Sequence, residues 1–386
     1  MEKNYSVSKV YIAACAGIAI FGVVMFALGA LMSPLTQKIP EAITLPQYMS
    51  VGIIIGTLLF GPIVDKFGYK WLLVAASISS LIGIIAIALL ENILLLRIAI
   101  ILLGIGGGIL NGETSALVSD VCTDEKRGKR MSLMSAFYCI GALLWTLSCT
   151  IISNFLIPLT VASIIIVAFI IYFCVIDFPK AKSQGDVSYV ESVKLLKYPV
   201  LLFFSIVLFF QSGFEGISGN YTAKFLTDNG VSISAATFAL TMYTIGMLIG
   251  RLLLGSLMQK IKDLKLLSGY LFIALVGSLM MYFSKQSILI PYISMTLIGF
   301  GAGATFPVIL SRIGIVFSNK TGSAFSAAMF IALCGNYTLN FITGQAFSGE
   351  SQDLFPIYLS GAVIAMFIFL PIAVKTALNF AKKNNI

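Results

Sequence analysis

The sequence predicts an all-α polytopic membrane protein, with twelve transmembrane helices in two pseudo-symmetric six-helix bundles. Three observations predict it. The 386-residue chain is 59% hydrophobic and 11% charged, with no histidine. So few charges cannot cover a water-facing surface of that size. Apolar runs recur along the whole chain, most of them longer than the ~18 residues that suggest a bilayer span. Finally, Gly56-Thr-Leu-Leu-Phe-Gly61-Pro-Ile-Val-Asp65-Lys66-Phe-Gly68-Tyr-Lys70 has a degraded copy, Gly250-Arg251-Leu-Leu-Leu-Gly255-Ser-Leu-Met-Gln-Lys260, 194 positions on. A duplicated, glycine-rich, charged hairpin between spans points to a transporter built from two related halves.

The apolar runs place spans at roughly 10–33, 47–64, 70–91, 96–120, 131–154 and 156–177. A second set follows at roughly 199–226, 234–258, 266–284, 288–314, 322–347 and 354–376. Residues 1–177 then form the first bundle, 178–198 a cytoplasmic linker and 199–386 the second bundle. The linker carries Pro179, Lys180, Lys182, Gln184, Gly185 and Asp186, then an amphipathic stretch Val190–Leu196. Met1–Lys9 is polar and the run after it is long enough to span, so no cleavable signal peptide is expected. The six cysteines lack paired spacing and read as small apolar fillers, not disulfides or metal ligands.

Basic residues set the orientation. With the N-terminus inside, 21 of the 25 Lys and Arg fall on the inner side. Lys38, Arg97, Lys224 and Lys285 fall outside. That bias places both termini in the cytoplasm. It also accounts for the net charge of +9 without a nucleic-acid partner.

The halves align beyond the hairpin. Gly104, Gly106 and Gly108 correspond to Gly299, Gly301 and Gly303, and Gly141 to Gly335, at offsets of 195 and 194. Small residues at matched depth let helix backbones approach closely, which is how membrane bundles pack without a hydrophobic driving force.

The segment Gly56–Lys70 resembles the cytoplasmic loop signature of the major facilitator superfamily, between its second and third helices. Asp124-Glu125-Lys126-Arg127-Gly128-Lys129-Arg130 resembles the matching loop between the fourth and fifth. The resemblance covers the whole chain. It implies alternating access, by rocking of two bundles around a midplane site. Asn111-Gly-Glu113-Thr-Ser-Ala-Leu-Val-Ser-Asp120 and Gly213-Phe-Glu215-Gly-Ile-Ser-Gly219-Asn220-Tyr221 are similar to the fucose and glucose permease group, which implies cation-coupled sugar uptake. The fucose permeases carry an acid in span one, whereas Val10–Met32 here has no charge. Proton and sodium both stay open as the coupling ion, and no organic cofactor is implied.

A carboxylate at the membrane edge needs a partner. For Asp65 the candidates are Arg127, Arg130 and the start of span eleven, near Thr321–Ser323, whose partial positive charge favours an anion. Gly61, Asp65, Lys66, Arg127 and Arg130 are therefore candidate gating residues. The second copy has Gln259 where Asp65 sits, so the gate should be asymmetric.

An ionisable side chain at mid-bilayer is costly unless it lines water or finds a partner. Glu113 and Glu215 fit that description and are candidates for ion coupling and for substrate binding. Gln211, Glu215, Ser218 and Thr222 fall at i, i+4, i+7 and i+11, one polar stripe on one helix face. In span four either Asn111 faces a cavity and Glu113 packs against a neighbour, or the reverse. Asp120 is expected to pair with the basic loop after it. Asn336, Asn340 and Thr343 form another stripe, whose amides offer donors and acceptors to hydroxyls or bond to a neighbouring helix. Tyr138, Trp145 and Tyr221 could stack on a sugar ring or pack in seams, and Asn220 adjoins the stripe on span seven. Arg251 and Arg312 read as anchors at cytoplasmic span ends.

The expected activity is secondary transport of a small polar solute, with a sugar as the candidate, by a monomer in a bacterial inner membrane, and not enzymatic catalysis. The chain has no phosphate-binding loop, and without histidine it has no Ser-His-Asp set. A drug-efflux antiporter is the first rival, although Gly141-Ala-Leu-Leu-Trp145 lacks the Pro of an antiporter signature. A membrane sensor or lipid-handling protein is the second, although no soluble domain is evident.

Overall fold

The structure, a computed structural model, describes residues 5–122, 124–152, 154–179, 194–258, 260–261, 263–317, 321–349 and 351–383. The chain divides into two compact units, Met1–Asp186 and Val187–Ile386. Twelve helices among the described residues are long and apolar enough to cross a membrane. In the first unit these are α1 (Val7–Lys38), α2 (Leu45–Phe67), α3 (Tyr69–Leu89), α4 (Ile93–Val121), α5 (Asp124–Ile151) and α6 (Leu156–Val175). In the second they are α7 (Pro199–Asp228), α8 (Ile233–Leu257), α9 (Asp263–Met280), α10 (Leu289–Val316), α11 (Thr321–Ser348) and α12 (Phe355–Lys383). This is a multi-pass membrane protein.

Several helices outrun the apolar runs that predict them. At about 1.5 Å per residue, the 32 residues of α1 exceed a hydrocarbon core of about 30 Å. Its polar ends therefore extend the helix into the headgroup layer. Asn92 caps α4, its side chain accepting from the Leu94 and Leu95 amides at 2.9 and 3.2 Å. Gly68 (φ 76°) separates α2 from α3, a left-handed backbone that a side chain would strain. Most of the expected linker 178–198 lies outside the described residues.

The two units repeat one packing plan. In the first, α4 packs on α2, α3 and α1, while α1 packs on α5 and α3 on α6. In the second, α10 packs on α8, α9 and α7, while α7 packs on α11 and α9 on α12. The repetition reaches single residues. A Cβ at Gly104 would overlap the Met49 carbonyl, and one at Gly299 the Tyr243 carbonyl. Both pairs keep the internal offset, since 49 and 243 are 194 apart. Gly52 and Gly246 meet the Ile101 and Thr296 carbonyls in the same register, while Gly141 and Gly335 meet the Ala19 and Phe209 carbonyls, which lie about one helical turn out of that register. The predicted glycine correspondence is thus a set of backbone-to-backbone seams. Each works because the glycine lacks a side chain.

We expect Gly335→Ala to destabilise the second unit by about 1–3 kcal/mol or more, because its methyl would enter the Phe209 carbonyl. Gly361→Ala on α12 meets nothing within 4 Å and should be neutral. Thermal melting of the two purified variants checks this; equal melting temperatures would refute the seam.

Candidate functional site

The polar face of α7 holds the second unit's charged centre. Gln211 and Glu215 stand one turn apart, and Gln211 Nε2 donates to Glu215 Oε1 at 2.7 Å. The same Nε2 donates to the Ala302 carbonyl of α10 at 3.0 Å, which fixes the amide across the α7–α10 seam. Gln211 is fully buried, whereas Glu215 keeps partial exposure. Arg251 lies on the neighbouring helix α8. The Arg251 stem rests against Gly303, where a Cβ would stand 3.5 Å from its Cγ. Buried Gln211 Oε1 and Ser218 Oγ make no hydrogen bond among the described residues. Glu215 is thus a carboxyl midway along α7 with one fixed donor and partial exposure.

The other candidates on α7 and α11 are engaged with each other. Asn336 Nδ2 donates to the Ser212 carbonyl at 2.8 Å. Asn340 Nδ2 donates to the Asn336 carbonyl at 2.8 Å and to its Oδ1 at 3.1 Å. Asn220 Nδ2 donates to Asn340 Oδ1 at 2.9 Å, and the Tyr221 hydroxyl to the Asn340 carbonyl at 2.9 Å. Gly216 makes the ladder possible, because its Cβ would stand 2.5 Å from both amide nitrogens. Of the two uses open to these amides, the structure displays the interhelical one.

Residues 10–336 match the Major Facilitator Superfamily. The chain belongs to that superfamily. It is 23% identical over 372 residues to the protein TsgA homolog of Buchnera aphidicola subsp. Schizaphis graminum, covering 91% of this chain and 90% of that protein. Its fold is similar to that of a D-xylose-proton symporter (TM-score 0.76, 17% identity, 94% of this chain and 98% of the other). It is also similar to the E. coli fucose:proton symporter FucP (TM-score 0.65, 17% identity, 94% and 98%). The protein is a transporter, not an enzyme.

In the first unit of this facilitator transporter, Asn111 keeps partial exposure while Glu113 is fully buried. Glu113 follows Gly106 by two turns on the α4 face that meets Ala76 and Ser80 of α3, with the Leu73 backbone beside it. The arrangement with Asn111 accessible and Glu113 packed is therefore the one observed. Neither Glu113 oxygen makes a hydrogen bond of good geometry. Trp145 Nε1 donates to the Phe26 carbonyl at 3.0 Å, and Tyr138 packs on Phe21 at 5.4 Å between ring centres. Both aromatics close the α1–α5 seam. Of the ten candidate binding residues, Asn111 and Glu215 alone retain exposure.

At the expected cytoplasmic edge, Arg130 stacks over Tyr11 (5.3 Å) and donates through Nη1 to Cys122 Sγ at 3.5 Å. Asp120 accepts from the Tyr69 hydroxyl at 2.7 Å, a bond to α3 that the expectation of pairing with the basic loop did not include. The side chains of Asp65, Lys66 and Arg127, the surroundings of Gly61, and the whole of Gln259 lie outside what the structure describes. Arg251, expected as an anchor, lies six residues before the end of α8, where the first copy has Thr57.

Removing the unmatched carboxyl from the α3–α4 seam should help the fold. We expect Glu113→Met to stabilise the protein by about 1–3 kcal/mol, read as a higher melting temperature in detergent. A loss of that size would reveal a partner for Glu113.

Proposed function

We propose that the protein takes up a small polar solute, with sugars as the leading class, by alternating access coupled to a proton or sodium ion. Glu215 is the ion-binding group. One observation carries this reading: a partly accessible carboxyl in the middle of α7, held by Gln211. A carboxyl in a low-dielectric site is expensive to keep charged without a cation, so ion binding and release there changes the energy of the whole helix face. The proteins of similar fold, named as proton symporters of D-xylose and fucose, support the solute class. Asn111 is the candidate solute contact in the first unit.

The same reading places the transporter as a monomer in a bacterial inner membrane with both termini cytoplasmic, supported by the 21-to-4 distribution of basic residues. It keeps 178–198 as the linker between the two bundles. Efflux finds less support, because α5 carries Gly141-Ala-Leu-Leu-Trp145 without a proline.

The test is uptake of radiolabelled D-xylose and L-fucose by cells producing the transporter. Wild type should concentrate the transported sugar inside. Glu215→Gln should reduce the internal level to no more than the external one, while exchange across preloaded vesicles persists. Concentration equal to wild type in Glu215→Gln would overturn the assignment.

A further inference from the structure

A proton needs one carboxyl oxygen, yet two further oxygens beside Glu215 are unmet. Gln211 Nε2 donates to two acceptors, Glu215 Oε1 at 2.7 Å and the Ala302 carbonyl at 3.0 Å. Those partners fix which end of the amide is the nitrogen. Its Oε1 is left over, buried and without a hydrogen bond among the described residues. Ser218 repeats the pattern. Ser205, Thr222 and Ser278 bond back to the carbonyl four residues earlier, a common outlet for a hydroxyl in a helix. Ser218 is as deeply buried, yet its Oγ has no partner among the described residues.

These oxygens share a face with the carboxyl. At about 100° per residue, Gln211, Glu215, Ser218 and Thr222 fall within roughly 60° of one another around α7. That face meets α10 at both ends, through Gln211 at Ala302 and through Thr222, whose Oγ1 lies 3.6 Å from Met295 Sδ. Glu215 and Ser218 stand between the two contacts. Thr222 itself is spent, since its hydroxyl donates to the Ser218 carbonyl at 2.7 Å. Asn220 Oδ1 is unmet as well, but it belongs to the opposite, α11-facing side. An unmet buried oxygen is costly, so two of them beside one carboxyl point to a ligand that satisfies both. The charge of that ligand follows from the sequence. Helices α8, α10, α11 and α12 carry no acid, and Asp228 at the end of α7 pairs with Lys224. One carboxylate among neutral oxygens balances one positive charge.

We propose that Gln211 Oε1, the Glu215 carboxylate and Ser218 Oγ form a sodium site on the α7 face that meets α10. The proposal rests on the reading of Glu215 as the ion-binding group, and it names the ion. Hard cations take oxygen ligands. Sodium satisfies both unmet oxygens while the carboxylate matches its charge; a proton on Glu215 satisfies one of them at most. Gln211 then has two tasks: its nitrogen ties the carboxyl to α10, and its oxygen binds the ion. Three protein groups leave part of the sodium shell open. The partial exposure of Glu215 lets water or a solute hydroxyl complete it.

The test needs no solute. Thermal melting is measured on detergent-purified full-length protein at one pH and one ionic strength, with sodium chloride replacing choline chloride. Sodium should raise the wild-type melting temperature by roughly 2 °C or more and then saturate; potassium should not. Ser218→Ala should need about threefold more sodium, or higher, for half the rise. Glu215→Gln should lose the rise. Wild-type melting that does not distinguish sodium from potassium or choline overturns the site, and leaves Glu215 as a proton carrier to the accumulation test. A rise kept by Glu215→Gln overturns it too. So does a Ser218→Ala midpoint equal to wild type, even where Glu215→Gln cannot be purified. Accumulation at the wild-type level in Glu215→Gln would instead remove the reading on which the site rests.

Discussion

Close backbone approach at glycine is the constraint on which the rest of this structure depends. Helices in lipid gain little by hiding apolar side chains from one another, since lipid tails are equally apolar. Their association needs short-range packing. Here that packing is made where Gly52, Gly104, Gly246 and Gly299 meet carbonyls of the facing helix. The seams recur with the internal offset of the sequence, so one solution to the packing problem was used twice.

The seams also decide where polar groups can go. In the second unit Gly216 leaves room for the amides of Asn336 and Asn340, so α11 locks onto α7 through a hydrogen-bonded ladder. In the first unit Glu113 is sealed against α3. The two halves share a packing plan, while the polar groups set into it differ.

Much of the fold was legible in the sequence, because span length and glycine register follow directly from bilayer thickness and backbone contact. The twelve helices follow from the recurring apolar runs, and the superfamily resemblance from Gly56–Lys70. The site was less legible. A polar stripe at i and i+4 looks the same whether it faces a solute or another helix. Asn336 and Asn340 face α7 because Gly216 stands opposite, a fact held in another helix. Glu113 and Asn111 differ by two positions, and only the placement of α3 tells which is sealed.

The central claim is that Glu215 carries the coupling ion into the cell together with the solute. The most direct measurement records external pH and sodium in a lightly buffered, de-energised suspension of producing cells as D-xylose or L-fucose is added. The account predicts that the transported sugar draws protons, or sodium, inward with it, so the medium turns alkaline or loses sodium. Entry of the sugar with neither ion moving, or with ions moving outward, would contradict it.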